Sequence, residues 1–291
     1  MKRYIKKLGK LNNWQYLISG LTGILGKINR CPGCNAVSNI KVDKKFFHVL
    51  HACQDCGLLF RHPKETKQQM DKFYQTEYSE PGLTTELPAQ EELARLLKTE
   101  FAGSPKDFHY HINIFRALGI GEGAKILDYG ANWGYTTYQL CKAGFDAQGF
   151  EPSRTRAEFG KNLGLEISTQ IPQVEGAFDA VYSCHVLEHV PNPEQTIRDQ
   201  LRLVRSGGMV LAHTPNGSLA ARKADPEAFH LRWGKVHSVL LNDEFLKRGF
   251  GQLKHYIASD DNPEELRKWS QKKSKVGDVS GSALFFVLVR P

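Results

Sequence analysis

From Ala124 onward, short apolar runs alternate with helix-length amphipathic stretches, and this alternation restricts the fold more than any other feature of the chain. Lys125–Tyr129 reads as a strand and Tyr135–Ala143 as a helix. Asp146–Glu151 is again a strand, followed by a helix over Ser153–Leu163. Phe178–Ser183, Pro193–Val204 and Gly208–Thr214 repeat the pattern as strand, helix and strand. Strands joined by helical crossovers must pair in parallel, because each crossover returns the chain to the same end of the sheet, and the helices then cover both faces. The last part differs. Gly251–Ala258 and Ala283–Val289 are strand-like and are separated by a polar stretch rich in Lys, Asp, Ser and Gly. That predicts an antiparallel pair at one edge. No internal repeat is present.

The turn after the first of these strands carries chemistry. It reads Asp128-Tyr129-Gly130-Ala131-Asn132-Trp133-Gly134, with glycines that let backbone turn tightly and approach a ligand. Glu151 follows at the end of the second strand, where an acid can accept hydrogen bonds from two ribose hydroxyls. Alone, such a turn would serve NAD as well, or merely cap a helix. The strand that follows runs into Cys184-His185-Val186-Leu187-Glu188-His189.

Together these segments resemble the class I S-adenosylmethionine-dependent methyltransferases over residues 110–216. The resemblance implies an α/β, Rossmann-like, seven-stranded methyltransferase domain. It implies that Asp128, Gly130 and Gly134 lie by the methionine part of the cofactor, that Glu151 holds its ribose, and that Cys184 and His185 sit beneath the sulfonium. Asn132 stands where the family has its middle glycine. Asn tolerates left-handed backbone angles better than most residues, so the turn is expected to survive. The family's usual acid near the adenine is missing: the chain there reads Ser168-Thr169-Gln170-Ile171.

Four of the six cysteines form two Cys-x-x-Cys pairs, Cys31/Cys34 and Cys53/Cys56, while Cys141 and Cys184 stand apart. Two such turns complete a tetrahedron around one ion, so the pattern predicts a zinc ribbon in a reducing compartment. Four thiolates leave no open coordination position, which makes the zinc structural; His48, His51 and His62 are near enough in sequence to substitute. The stretch Cys53–Phe60, Pro63 and Phe73–Tyr78 resembles the N-terminal module of bacterial sugar C-methyltransferases and related enzymes of surface-glycan synthesis. The expected division is a basic amphipathic helix over 1–30, the ribbon over 31–62, a helical connector or lid over 63–120 and the methyltransferase domain over 121–291. The connector is expected to break near Pro81-Gly82 and Gly103-Ser104-Pro105.

Methyl transfer to an alcohol or carbon acid needs a base, and histidine suits that task at neutral pH. His189 follows the Phe178 strand, and His237 lies in Arg232-Trp233-Gly234-Lys235-Val236-His237. These two are the catalytic candidates, with His213 of Ala212-His213-Thr214-Pro215 next. A cap or ribose-side role for His189, and plain surface exposure for His237, are the alternatives. In sugar C-methyltransferases a tyrosine, a glutamate and a histidine cluster in a comparable segment. Here only His237 matches, with Gly234 and Val236 in the other places, so O- and N-methylation stay open. Tyr74 and Tyr78 either wall the acceptor pocket or pack under the connector.

Charge narrows the acceptor. The chain carries +8 overall, and Lys2, Arg3, Lys6, Lys7, Lys10, Lys27 and Arg30 place +7 of it in residues 1–30. The near-neutral remainder argues against a nucleic-acid partner, since phosphate contacts dominate such binding. The expected acceptor is a small molecule, a nucleotide sugar or glycan. An RNA methyltransferase that uses the ribbon for recognition is the alternative, and a non-enzymatic binding module the third reading. Leu11, Trp14, Ile18, Leu21, Leu25 and Ile28 share one helical face beside the basic residues. That face suits either an anionic membrane surface or packing on the connector. No apolar run reaches the ~18 residues of a membrane span. The polar Asn12, Asn13 and Gln15 break the apolar character just ahead of Tyr16–Gly26, and no small-residue cleavage site follows before Cys31, so the segment does not read as a signal peptide. The expected location is cytoplasmic, with loose contact on the inner membrane face.

Overall fold

The structure, a computed structural model, describes residues 29–63, 86–234, 236–259, 261–269 and 273–291 of the 291. The predicted helix over 1–30 therefore falls outside the described residues, save its last two, as do Tyr74, Tyr78 and the Pro81-Gly82 break.

Near the described N-terminus, β1 (Ile40–Lys45) and β2 (His48–Ala52) form a hairpin, and β3 (Leu59–His62) adds antiparallel to β2. Phe46-Phe47 forms the tight turn between β1 and β2, with Phe46 at φ +49°. Two helices precede the main sheet, α1 (Gln90–Lys98) and α2 (His109–Ala117), and the predicted break at Gly103–Pro105 lies between them.

The alternating segment follows its predicted course, with the short β6 added and β8 starting four residues early: β4 (Lys125–Tyr129), α3 (Tyr135–Lys142), β5 (Asp146–Phe150), α4 (Arg154–Asn162), β6 (Ile167–Ser168), β7 (Phe178–Cys184), α5 (Pro193–Leu203) and β8 (Val204–Pro215). Then come α6 (Leu219–Ala224), α7 (Pro226–Arg232), β9 (Val239–Leu240), α8 (Asp243–Phe250), β10 (His255–Ala258), α9 (Pro263–Trp269), β11 (Lys275–Val276) and β12 (Ala283–Val289). The main sheet has the order β11-β10-β12-β8-β7-β4-β5-β6, and β12 runs antiparallel to both neighbours. The predicted antiparallel pair is thus β10 with β12. It starts at His255 because Gly251 and Gln252 are in a turn. Eight strands replace the expected seven, since the two-residue β11 adds to the β10 edge.

Strand alternation sends side chains to two cores. Leu127, Tyr129, Val181, Val210 and Ala212 meet α5 and α8 on one face; Ile126, Ala180, Tyr182 and Leu211 meet α2, α3 and α9 on the other. The chain runs from β4 out to β6 and then returns to β7 on the opposite side of β4. At that reversal the connections diverge, leaving a crevice at the carboxyl ends of β4 and β7 where ligands of such sheets bind.

The cysteine module is not a separate bead. β3 pairs with β9, so the late segment completes the module's four-stranded sheet. Trp233 is 2% exposed and packs with Leu50, Leu59, Phe229 and Leu240. Its Nε1 donates to Asp43 Oδ2 at 2.8 Å, and Lys45 Nζ sits 4.7 Å above its ring. Trp233→Ala should cost about 3–5 kcal/mol of stability through the cavity it leaves. The check is the midpoint of chemical unfolding, which should fall clearly; an unchanged midpoint would mean that the module does not lean on this ring.

Candidate active site

The crevice begins with backbone geometry. Gly130, Asn132 and Gly134 all have positive φ, at +90°, +54° and +91°. A Cβ on Gly130 would lie 2.4 Å from Val186 Cγ2, so any other residue would have to push the Val186 side chain aside while holding a φ that side chains rarely adopt. Asn132 manages the left-handed conformation by folding its Oδ1 back to accept from Trp133 N at 2.8 Å.

Glu151 ties this turn to the next one. Its Oε2 accepts from Asn132 N at 3.0 Å and its Oε1 from Ser153 N at 2.9 Å. The carboxylate is 5% exposed, and Arg156 Nη1 stands 3.9 Å from it. Burial raises its pKa against the pull of Ser153 N, Arg156 and Asn132 N. The two amides occupy two of about four lone-pair positions that a carboxylate offers. Asp128, buried at the end of β4, accepts from Thr137 Oγ1 at 2.8 Å. Burial pushes its carboxyl up to about 7, Thr137 opposes that, and the Glu151 charge adds to it.

Beyond β7 a set of histidines surrounds one carboxylate. Glu188 is fully buried; its Oε1 lies 3.0 Å from His185 Nδ1 and its Oε2 accepts from Thr214 Oγ1 at 3.1 Å. Burial alone would raise its pKa, but the His185 hydrogen bond and the neighbouring rings of His189, His185 and His237 hold it at about 2. His189 Nδ1 lies 3.0 Å from Val236 O and His237 Nδ1 lies 2.6 Å from Arg232 O. A carbonyl only accepts, so both rings carry a proton on Nδ1. Burial pushes His189 down to about 4, keeping it neutral. The two rings are 4.8 Å apart, and His189 Nε2 is 3.8 Å from Glu188 Oε1. The predicted candidates His189 and His237 are therefore neighbours, and their ligand atoms and that of Glu188, within 4.8 Å of one another, could hold a cation.

His213, third in line, sits elsewhere. Its Nε2 is 2.7 Å from Asp261 Oδ2 and its Nδ1 is 3.1 Å from the Tyr182 hydroxyl. His111 of α2 faces it, with ring centroids 4.9 Å apart. Neither His111 nor Asp261 stood out in the sequence: one lies on an amphipathic helix, the other in a polar stretch without a motif. Glu188 stood beside the candidate His189 in Leu187-Glu188-His189-Val190, and an acid next to a candidate base is the signal that could have found it.

The four paired cysteines converge. Cys31 and Cys56 Sγ are 3.5 Å apart, Cys34 and Cys53 Sγ 3.4 Å, and all four lie within 4.8 Å of one another without a disulfide. His48, His51 and His62 take no part in that cluster.

The methyltransferase-domain family profile matches residues 87–269. A ubiquinone biosynthesis O-methyltransferase of Methylococcus capsulatus is 31% identical over 160 residues, covering 51% of this chain and 62% of that protein. The Pseudomonas aeruginosa protein of the same name is 26% identical over 189 residues, covering 59% and 75%. The chain thus spans about three fifths of the length of the first of these relatives. Among solved structures, phosphoethanolamine N-methyltransferase 2 of Haemonchus contortus, in complex with S-adenosyl-L-methionine, superposes with a TM-score of 0.52 at 14% identity, over 80% of this chain and 62% of that one. It shares the fold. No helix among the described residues is long and apolar enough to cross a membrane.

The raised Asp128 pKa has a stability consequence. The folded chain keeps this proton up to about 7, whereas the unfolded chain loses it near 3.8. Stability should therefore fall as pH rises from about 4 to about 7, and level off above that. Asp128→Asn removes the difference while leaving Thr137 an acceptor. Melting curves at about pH 5 and pH 8 should lie closer together in the variant; parallel profiles would contradict the buried-carboxyl reading.

Proposed function

Because the chain belongs to the methyltransferase-domain family, we propose that it is an S-adenosylmethionine-dependent methyltransferase acting on an oxygen of a small molecule. The single observation that carries the proposal is the Glu151 clamp. A buried carboxylate that already holds two turns together, with acceptor positions remaining, suits the two vicinal hydroxyls of a ribose. In this reading Glu151 holds the ribose; Asp128, Gly130, Asn132 and Gly134 line the methionine part, and His185 lies beside the sulfonium. When bound, the cofactor supplies an electrophilic methyl group. The rest is the work of side chains. Asp128 sits in a site whose burial disfavours its charge, so a cationic amino group beside it would restore the carboxylate.

His189 is the base of choice and His237 its neighbour. A neutral ring with its proton anchored on Nδ1 directs its lone pair at an acceptor hydroxyl, and the Glu188 carboxylate stabilises the imidazolium that forms. The name O-methyltransferase carried by the relatives supports oxygen over carbon, as does the absence of the tyrosine and glutamate that carbon methylation would want beside His237. A nucleotide sugar or glycan is the acceptor class, supported by the resemblance of the cysteine module to that of glycan-synthesis enzymes. The near-neutral body disfavours RNA.

Three further parts belong to the same proposal. Cys31, Cys34, Cys53 and Cys56 hold a structural zinc ion, supported by four converging thiols with no disulfide between them. Residues 1–30, with their +7 charge and the face bearing Trp14, contact an anionic membrane surface from the cytoplasm. The division at residues 30, 62 and 120 separates that segment, the ribbon, the connector and the methyltransferase domain.

Glu151→Gln removes the charge but keeps the shape. Each bond to a charged acceptor contributes about 1.5–3 kcal/mol, so cofactor affinity should drop by at least about tenfold. Wild-type affinity should also weaken on acidification earlier than an ordinary carboxylate would dictate, because protonation silences the raised Glu151. Calorimetry with unchanged affinity in a folded variant would sink the assignment.

The base is tested on product formation with candidate nucleotide sugars, read by mass. His189→Ala should lose roughly 10²–10⁴ in turnover while keeping its cofactor affinity, and His237→Ala should lose it if that ring is the base instead. Near-normal turnover in both single variants would place the base elsewhere.

A further inference from the structure

We propose that His111, His213 and Asp261 form an open binding site for a divalent transition-metal ion, separate from the cysteine cluster and from Glu188. The three residues come from α2, the carboxyl end of β8 and the stretch between β10 and α9. One ring nitrogen of each histidine and one carboxylate oxygen lie within 4.8 Å of one another.

Each ligand is held from behind by an atom the ion would not need. The Tyr182 hydroxyl meets His213 Nδ1, which leaves Nε2 aimed at Asp261 Oδ2. The Tyr110 hydroxyl donates to Asp261 Oδ1 at 3.1 Å, which leaves Oδ2 for the site. His111 is held by stacking on Phe108, with ring centroids 4.5 Å apart and planes 9° from parallel. Outer contacts that orient imidazole and carboxylate in this way are the usual surroundings of a bound metal.

A plain His213–Asp261 ion pair accounts for only two of the three. It leaves His111 Nδ1 buried with no hydrogen-bond partner among the described residues. Such a nitrogen is costly to bury unpaired. An ion gathers all three residues into one arrangement.

Two imidazoles and one carboxylate favour borderline cations such as Zn²⁺, Co²⁺, Fe²⁺ or Mn²⁺ over Mg²⁺, which prefers oxygen. Three protein ligands leave coordination positions open, unlike the four thiols. Those positions lie next to the crevice: His213 pairs with Cys184 in the sheet, and its carbonyl accepts from His185 N at 2.9 Å. An oxygen of an acceptor, or a water, would complete the shell. Binding of the ion does not depend on the methyl-transfer reading and is tested apart from it.

The test is a titration of the full-length protein with Co²⁺, followed by visible absorption. Thiolate-bound Co²⁺ shows sulfur-to-metal charge transfer, whereas this site should add weaker bands without it. Asp261→Asn removes the anionic ligand. Tyr110→Phe releases that ligand's outer hydrogen bond at a residue 48% exposed, where folding is not at stake. Each should weaken the nitrogen/oxygen-bound equivalent roughly tenfold or more. No Co²⁺ bound beyond the thiolate site in the wild type would overturn the proposal. So would a nitrogen/oxygen equivalent that keeps its affinity in both variants, which would assign it to Glu188, His189 and His237.

Discussion

Two backbone amides donate to the buried carboxylate of Glu151, and the geometry of the crevice depends on that pair of bonds. One amide belongs to the turn after β4 and the other to the start of α4, so a single side chain joins the two loops, beside the Gly130 and Ala131 amides that donate to Phe150 O. Burying a carboxylate is costly without donors, and the amides offset that cost. The positive φ angles of Gly130, Asn132 and Gly134 follow from the same arrangement. The chain must turn back over the end of β4 to bring Asn132 N within reach of β5.

A second dependence links the cysteine module to the histidines. His237 lies two residues before β9, and β9 is a strand of the module's sheet through its pairing with β3. Arg61 N donates to Ser238 O, and Asn242 Nδ2 donates to Gly57 O. The segment that presents His237, and the Val236 carbonyl that orients His189, is thus anchored to the module on one side. Cys31, Cys53 and Cys56 of the module pack into the same apolar core as Tyr129, Leu187 and Phe245. Far from being an appendage, the module holds in place the loop that carries a candidate base. Loosening it is expected to reach the crevice through that loop rather than through the sheet.

Much of this was legible in the sequence, and the remainder was not for definite reasons. The edges of β4, β7 and β12 could be read directly because strands covered on both faces, parallel like β4 and β7 or antiparallel like β12, leave largely apolar runs between polar turns. The left-handed place of Asn132 followed from its residue type. By contrast β9 and β11, two residues each, owe their existence to a partner strand and carry no periodicity of their own. The polar stretch before β12 hid α9, whose buried Leu266 and Trp269 are two apolar residues among charges. The histidines could be singled out by their place at strand ends. The lowered pKa of His189 could not, because it comes from burial by segments distant in sequence. The grouping of His111 with His213 and Asp261 likewise exists only once α2 lies across the end of β8.

The central claim is that the Glu151 clamp and the turn before it make a pocket for S-adenosylmethionine rather than for a dinucleotide. A calorimetric titration of the full-length protein with S-adenosylmethionine and, separately, with NAD⁺ tests it most directly. One equivalent of S-adenosylmethionine bound, with no heat from NAD⁺ under the same conditions, is the result the account predicts. Saturable binding of NAD⁺, or none of S-adenosylmethionine, would contradict it.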